Sequence, residues 1–454
     1  MKTVGAIYAT YAVVFGGFVG LVWFLKLLAR RAMLRNNTEA ALIWYDRMWF
    51  LFGPAIRKEI KPQIQMNLAI VHASEGHHGR AMQLLNDARR ECRNLKTPDL
   101  LIQACVMTSR LYERQQNWEQ AAFALSEARK ASESDKRSPG LLKILLLQAE
   151  LAGHRGAPEE ALGCWHQIKR IADARRDVCT GVLALTHIGR ASYEAGEWAD
   201  AEHLLSDAVS IVRENHLSDR SAILACLLYG RLQLQRGQYE LARGYLMDAA
   251  NKAKTREEPA LQCSALIEAA RLWVEQGRIE KAEETCNQAV ALADSLKDPN
   301  RIAMACQVAG DLALSQDHWM SARAFFDRAM TALSQTALPR TALLVRCGLA
   351  LVHAYSGQLA EAMEKLVELE VEAKKSTAGY EHVAILDALA RVAFQQGDGL
   401  ASQEFTAAAH ARRQELGITA ALSAQYRIAA RIAIVAENED GEIVRPPSRA
   451  KARG

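Results

Sequence analysis

The sequence predicts an all-α chain: helical hairpins stacked as a solenoid, behind one N-terminal transmembrane helix. Three observations carry that prediction. An uncharged stretch opens the chain, a small-residue pattern returns about every 40 residues through most of the remainder, and the composition suits packed helices, with 10 Pro in 454 residues and hydrophobic residues at 50%.

The first element is Val4 to Leu25, VGAIYATYAVVFGGFVGLVWFL, which carries no charge. At about 1.5 Å per helical residue it is long enough to cross a hydrocarbon core of about 30 Å. Lys26, Arg30, Arg31 and Arg35 follow it and Lys2 precedes it. Flanking Lys and Arg favour the cytoplasmic side, so the chain after the span is expected in the cytoplasm. A cleaved signal peptide would have a shorter apolar core and a small-residue cleavage site, so residues 1–28 read as a retained, single-pass anchor. Ala12, Gly16 and Gly20 recur every four residues on one helix face. That face suits pairing with a second copy, a route to a homo-oligomer; the competing reading is that Gly is common in membrane helices.

Residues 29–60 read as an irregular first helical pair, continuous with the anchor or adjoining it. Ala41, in NTEAALIWYDRMW, lies 40 residues before Ala81, and Ala29 lies twelve before Ala41, while Gly53-Pro54 and Lys61-Pro62 interrupt the segment. In the continuous version the solenoid is rigidly coupled to the bilayer. A mobile linker at Asn36-Asn37 would exclude that version.

From 61 to 416 the chain repeats nine times. The aligned stretches are GHHGRA ending at Ala81, QNWEQA at Ala121, GAPEEA at Ala161, GEWADA at Ala201, GQYELA at Ala242, GRIEKA at Ala282, DHWMSA at Ala322, GQLAEA at Ala362 and GDGLAS at Ser402. Successive reference positions are 40 residues apart, once 41. Twelve residues before each stands a small residue, such as Gly189, Gly230 or Gly310, and seven after several stands another, such as Ala208. Four after the reference come larger side chains, among them Leu205, Leu246 and Phe326. Offsets of four and seven line one helix face, so each unit reads as two helices meeting through small residues and closed by a turn. Trp118, Trp198, Tyr239 and Trp319 share one position with His78, Ile279 and Leu359. A position that accepts both indole and isoleucine fills a volume, so Trp198 is expected to pack at the closed end of its hairpin, with Gly196 relieving the turn.

This pattern resembles that of the tetratricopeptide repeat superfamily. Gly189, Gly196, Ala201 and Ala208 match the family's small residue, turn, small residue and second small residue, with Trp198 on the aromatic position. The common family unit is about 34 residues, so these are similar to long-helix variants. The resemblance implies a right-handed solenoid whose concave surface binds other proteins. The whole arrangement resembles single-span repeat proteins of bacterial inner membranes, which implies that location. Family members with a metal-binding C-x-x-C pair are poorly matched, because the chain has none.

Residues 417–436 contain TAALSAQYRIAARIAIVA, expected as a capping helix over the last repeat, and 437–454 read as a flexible charged tail.

Nothing in the sequence points to catalysis, a cofactor or a metal. The nine Cys occupy apolar helical segments: Cys105, Cys226 and Cys306 stand where other repeats carry Leu, which suits small hydrophobes. Arg346 interrupts that apolar column; it snorkels, pairs with a carboxylate, or marks a shift of register to Cys347. His72, His77 and His78 cluster at a turn without metal-ligand spacing, and no phosphate-binding loop, dinucleotide fingerprint or nucleophile elbow is present. The net charge of +4 is concentrated in the first 35 residues, which leaves the repeats near neutral, so no nucleic-acid partner is expected.

Arg110, Arg190, Arg231, Arg271 and Arg391 all stand eleven residues before their reference positions, on first helices. Two readings fit this ladder equally: structural pairing between adjacent repeats, or gripping acidic groups on a client. The chain is therefore expected to be a membrane-anchored scaffold that organises partner proteins. The second reading is an accessory subunit of a membrane-associated biosynthetic pathway, such as envelope lipid or HemY-like tetrapyrrole synthesis, which the missing second span weakens. An enzyme with a site assembled across repeats is the third.

Overall fold

The computed structural model describes residues 61–133, 140–336, 338–376 and 379–418, with isolated positions between 24 and 47. Among them there is no strand, and eighteen helices form nine hairpins. These are α1 (Lys61–Ser74) with α2 (His78–Leu95), α3 (Pro98–Arg114) with α4 (Trp118–Glu133), and α5 (Gly140–His154) with α6 (Pro158–Arg175). There follow α7 (Val178–Ala195) with α8 (Trp198–Glu214), α9 (Arg220–Gln235) with α10 (Tyr239–Thr255), and α11 (Pro259–Glu275) with α12 (Ile279–Leu296). The last are α13 (Pro299–Ser315) with α14 (Trp319–Leu333), α15 (Pro339–Tyr355) with α16 (Leu359–Lys375), and α17 (Gly379–Gln396) with α18 (Gly399–Glu415).

The turns explain the period. Five residues before every reference position the backbone is left-handed: Gly76, Gly156, Gly196, Gly237, Gly277, Gly357 and Gly397 have positive φ, as do Gln116 and Asp317. At Gly196, φ is 86°, and the amides of Gly196 and Glu197 donate to the carbonyls of Tyr193 (3.2 Å) and Ser192 (2.9 Å), closing α7. The next helix then starts on the shared aromatic or aliphatic position, Trp198 in α8. Between repeats Lys96, Arg176, His216, Glu257 and Lys297 make a second left-handed turn. Pro98, Pro259, Pro299 and Pro339 open the following first helices, where a missing N–H costs nothing. Asp177, Asp219 and Asp298 cap helix starts by accepting from backbone amides.

Small residues set the helix contacts. A Cβ on Gly189 would lie 2.9 Å from Leu205 Cγ, one on Gly230 would lie 2.8 Å from Leu246 Cγ, and one on Gly310 would lie 2.5 Å from Phe326 Cε1. The small position twelve before the reference thus receives the large side chain four after it. The Phe326 ring is also pressed against Gly348 of the next repeat. Ala81, Ala121, Ala201, Ala208, Ala242, Ala282, Ala322 and Ala362 are all 0% exposed at the hairpin contact, and Ala161 is half-buried.

The chain divides into two compact units, residues 1–171 and 172–454, although the repeat period crosses the division unchanged. In the first unit the core is built from residues such as Ile64, Met66, Leu85 and Leu111 and, separately, Leu125, Ile144 and Leu151; Leu25 joins the former. In the second, one cluster runs from Val182 to Leu312 and takes in Val383 and Leu416, and another centres on Phe326, Leu366 and Ile385.

Among the described residues no helix is long and apolar enough to cross a membrane. The expected span 4–25, with Ala12, Gly16 and Gly20, lies outside them except for Phe24 and Leu25. Asn36-Asn37, residues 419–436 of the expected cap and the tail 437–454 also lie outside the described residues.

Candidate partner-binding surface

The first helices carry the arginine ladder, and the structure gives its members different surroundings. Glu268 of α11 is 0% exposed and bridges two of them. Arg231 of α9 donates to its Oε1 from Nε at 2.7 Å and from Nη2 at 2.5 Å, while Arg271 Nη1 stands 3.5 Å from Oε2. Arg271 also donates to Gln307 Oε1 on α13 at 2.8 Å. The Glu268 carboxylate thereby ties α11 to α9, and Arg271 ties α11 on to α13. Burial works against the charge of Glu268, yet Arg231 and Arg271 hold its carboxyl below the ordinary carboxylate range. Burial likewise opposes the charge of Arg271, but the Glu268 carboxylate together with Tyr380, Asp311 and Tyr193 outweighs it and raises the guanidinium's affinity for its proton.

The other members stand apart. Arg391 of α17 donates to the Tyr355 hydroxyl and lies over its ring, 4.8 Å from the centroid. Arg190 pairs within its own helix, Nε to Glu194 Oε1 at 3.7 Å, near the surface. Arg110 of α3, in the first unit, is exposed and lines an open cavity of about 240 Å³ with Arg114, Ile70, Ala73 and Met107. The lining of this cavity is apolar apart from the guanidinium groups of Arg110 and Arg114.

A larger cavity of the second unit, about 580 Å³, lies beside α8 and α10 rather than on the ladder. Its charges already have internal partners: Arg213 donates to the Tyr245 hydroxyl at 2.7 Å, and Lys252 pairs with Asp248 at 2.8 Å. Volume alone therefore does not single it out.

The remaining sequence candidates fall into packing roles or simple ion pairs. Trp198 is 5% exposed, its ring 5.8 Å from that of Tyr193, and Trp319 packs half-buried against the Phe326 cluster. Arg346 reaches Glu372 of α16 at 2.7 Å, so of its three alternatives the carboxylate pair is the one formed. Eight of the nine thiols are buried and Cys179 is half-buried. Burial pushes Cys105, Cys226 and Cys286 up to about 12, far from a reactive thiolate. His72 and His77 meet edge to face at 5.9 Å, and among the described residues no group of three His, Cys, Asp or Glu could hold a metal.

Sequence reasoning missed Glu268 and the aromatic residues Tyr193 and Tyr380. Glu268 did leave a weak signal, since the same repeat position is Met107, Leu147, Leu228 and Val308 in four other repeats, though Asn67 and His187 in two more. Tyr193 donates to Gln235 Oε1 at 2.6 Å, and burial, then the charge of Glu381, raise its phenol to about 12.

No protein-family profile matches the chain, and no curated protein matches its sequence. Among solved structures it is similar to a Rap protein complexed with competence and sporulation factor, at TM-score 0.56 and 13% identity over 79% of this chain and 99% of that one. It is similar to the apo form of RapI at TM-score 0.52 and 10% identity, over 78% and 98% of the two chains. It is similar to a signal-transduction ATPase with a tetratricopeptide repeat sensor from Pyrococcus horikoshii at TM-score 0.48 and 16% identity, over 71% of this chain and 48% of that one. The chain has a tetratricopeptide-like fold. In this tetratricopeptide-like array the ladder occupies first helices, and Arg110 lines an open cavity.

Proposed function

We propose that the chain is a membrane-anchored scaffold that recruits partner proteins at the cytoplasmic face of a bacterial inner membrane, held there by residues 4–25. The observation that carries the protein-binding half is the open cavity at Arg110. An apolar lining that includes Ile70, Leu85, Met107 and Leu111 suits an anchoring side chain, and Arg110 and Arg114 suit carboxylates beside it. The Rap protein of similar fold, solved with competence and sporulation factor, supports reading such an array as one that takes a partner. The uncharged stretch followed by Lys26, Arg30, Arg31 and Arg35 supports the anchor and its orientation. Close approach of two anchors along Ala12, Gly16 and Gly20 would present the array as a pair.

Two measurements test this reading. After alkaline carbonate washing the full chain is expected in the membrane pellet, and a chain lacking residues 1–28 in the supernatant; release of the full chain overturns the anchor. Crosslinking in intact membranes is expected to lose specific partners when Arg110→Glu and Arg114→Glu are combined, with an unchanged thermal midpoint. Identical capture by both forms overturns this face as the binding surface.

A further inference from the structure

The end of the second unit reaches back onto its own earlier repeats. Fourteen of the eighteen residues of α17 are buried, around nearly its whole circumference. Its neighbours in the stack cover part of that surface, and its first turns meet something else. The Tyr380 hydroxyl donates to Glu275 Oε1 at the end of α11, 3.2 Å away and 105 residues earlier. Val383 and Leu416 belong to the apolar cluster of α7 to α13, and Tyr380 and Ile418 pack against it. From the start of α15, Arg340 donates to the Glu194 carbonyl at 2.8 Å, with its guanidinium 5.2 Å from the centre of the Tyr193 ring. The first-helix ends at Tyr193 and Glu275 are thus already occupied, and the occupant is the chain itself.

The quality of that contact differs from that of the hairpins. Hairpin contacts are dry and close, alanine and glycine against leucine and phenylalanine. This one combines hydrogen bonds and a cation over a ring with apolar packing of Tyr380, Val383, Leu416 and Ile418. Glu381 is 4% exposed within it, and its Oε2 is buried with no hydrogen-bond partner among the described residues. An orphaned buried acceptor carries a desolvation penalty that opening would remove, so the closed arrangement stands nearer in free energy to an open one than its burial suggests.

We propose that α17 with Leu416, fastened beside Tyr193 by Arg340, is a displaceable internal occupant of the first-helix ends of α7 and α11, the hairpins that meet at Phe326 staying closed. An external segment that reads this face does so by replacing it. The chemistry such a segment must reproduce is that of α17's favourable contacts: a helix with an aromatic hydroxyl for Glu275 and a β-branched residue one turn on, as in Tyr380 and Val383. This rests on the scaffold reading only for the existence of an external partner; the internal contact stands without it.

Hydroxyl-radical footprinting of the full chain tests the proposal, with Tyr193 reporting the covered face and Phe326 reporting the core. In the Arg340→Ala, Tyr380→Phe double variant, labelling of Tyr193 and Leu416 is expected to rise several-fold while Phe326 stays protected. A synthetic peptide with the sequence of Gly379–Gln396, added to that variant, is expected to protect Tyr193 again. Unchanged Tyr193 labelling in the variant overturns the proposal, as does a parallel rise at Phe326, which would make the contact part of the global fold. Failure of the peptide to protect an opened chain overturns the claim that this face accepts a helix in trans. A chain that opens and closes as expected but crosslinks to no partner retires the scaffold reading and leaves the internal occupant standing.

Discussion

Arg110 in the first unit and Arg271 in the second stand at the same repeat position on first helices, yet they do different work. Arg110 is exposed at the rim of an open cavity, whereas the Arg271 side chain is 13% exposed and shares Glu268 with Arg231. A ladder of identical residues is therefore not one site. What covers the face decides whether a guanidinium is a structural tie or is left facing solvent, and in the second unit the cover includes Tyr380 and Glu381 of the chain itself.

The sharpest way to break this comparison is to remove the shared acid. Glu268→Ala leaves Arg231 and Arg271 without their common partner in a buried site and is expected to cost about 3–5 kcal/mol. Arg110→Ala is expected to stay within about 0.5 kcal/mol. Denaturant unfolding measures both, and similar losses would erase the distinction.

Glycine packing gives a second contrast. Gly310→Ala drives a Cβ into the Phe326 ring and is expected to cost about 1–3 kcal/mol. Gly163→Ala in α6 of the first unit meets open space and is expected to gain about 0.5–1 kcal/mol by favouring the helix. The two thermal midpoints should move in opposite directions.

Acid should act through His187 of the second unit. Burial, then Arg190 and Arg220, depress its pKa to about 3, while in the unfolded chain it titrates near 6.5. Between those values the unfolded chain binds more protons, so this contribution to stability is present above about pH 6.5 and is lost as pH falls, at about 1 kcal/mol per unit. The first unit's counterparts, Asn67, Met107 and Leu147, do not titrate. His187→Gln is expected to flatten the pH dependence of unfolding between pH 6 and 4, roughly the interval set by those two pKa values; an unchanged slope would assign it to other groups.

The smallest effects should lie where the units agree. Gln116 in the first and Asp317 in the second hold φ of 57° and 61° at the turn position that is Gly elsewhere. Replacing Gln116 by Gly is expected to gain about 0.5 kcal/mol, and Asp317 less, because Asp tolerates the left-handed region better. Calorimetry on the two single variants would rank them.

Helices and turns were legible in the sequence because each rests on a local, recurring requirement. The positive φ at Gly196 and the space that Leu205 takes at Gly189 are met again in other repeats, so forty-residue spacing exposes them. The closure of the second unit has no such signature. Tyr380 and Glu275, or Arg340 and Glu194, meet once, through residues whose repeat counterparts do something else. Glu268 was visible as the one acid in a mostly uncharged column, but its two partners depend on how neighbouring first helices turn their side chains. The division after Ile171 leaves the period untouched and so could not be read from it.

Phe326 has one more consequence. An array of hairpins can in principle melt from its end, one repeat at a time, because each touches only its neighbours. A ring seated between Gly310 of its own hairpin and Gly348 of the next cannot leave one without uncovering the other. Fraying that enters from α18 should therefore halt at this ring until both hairpins yield together, which makes them a single cooperative step.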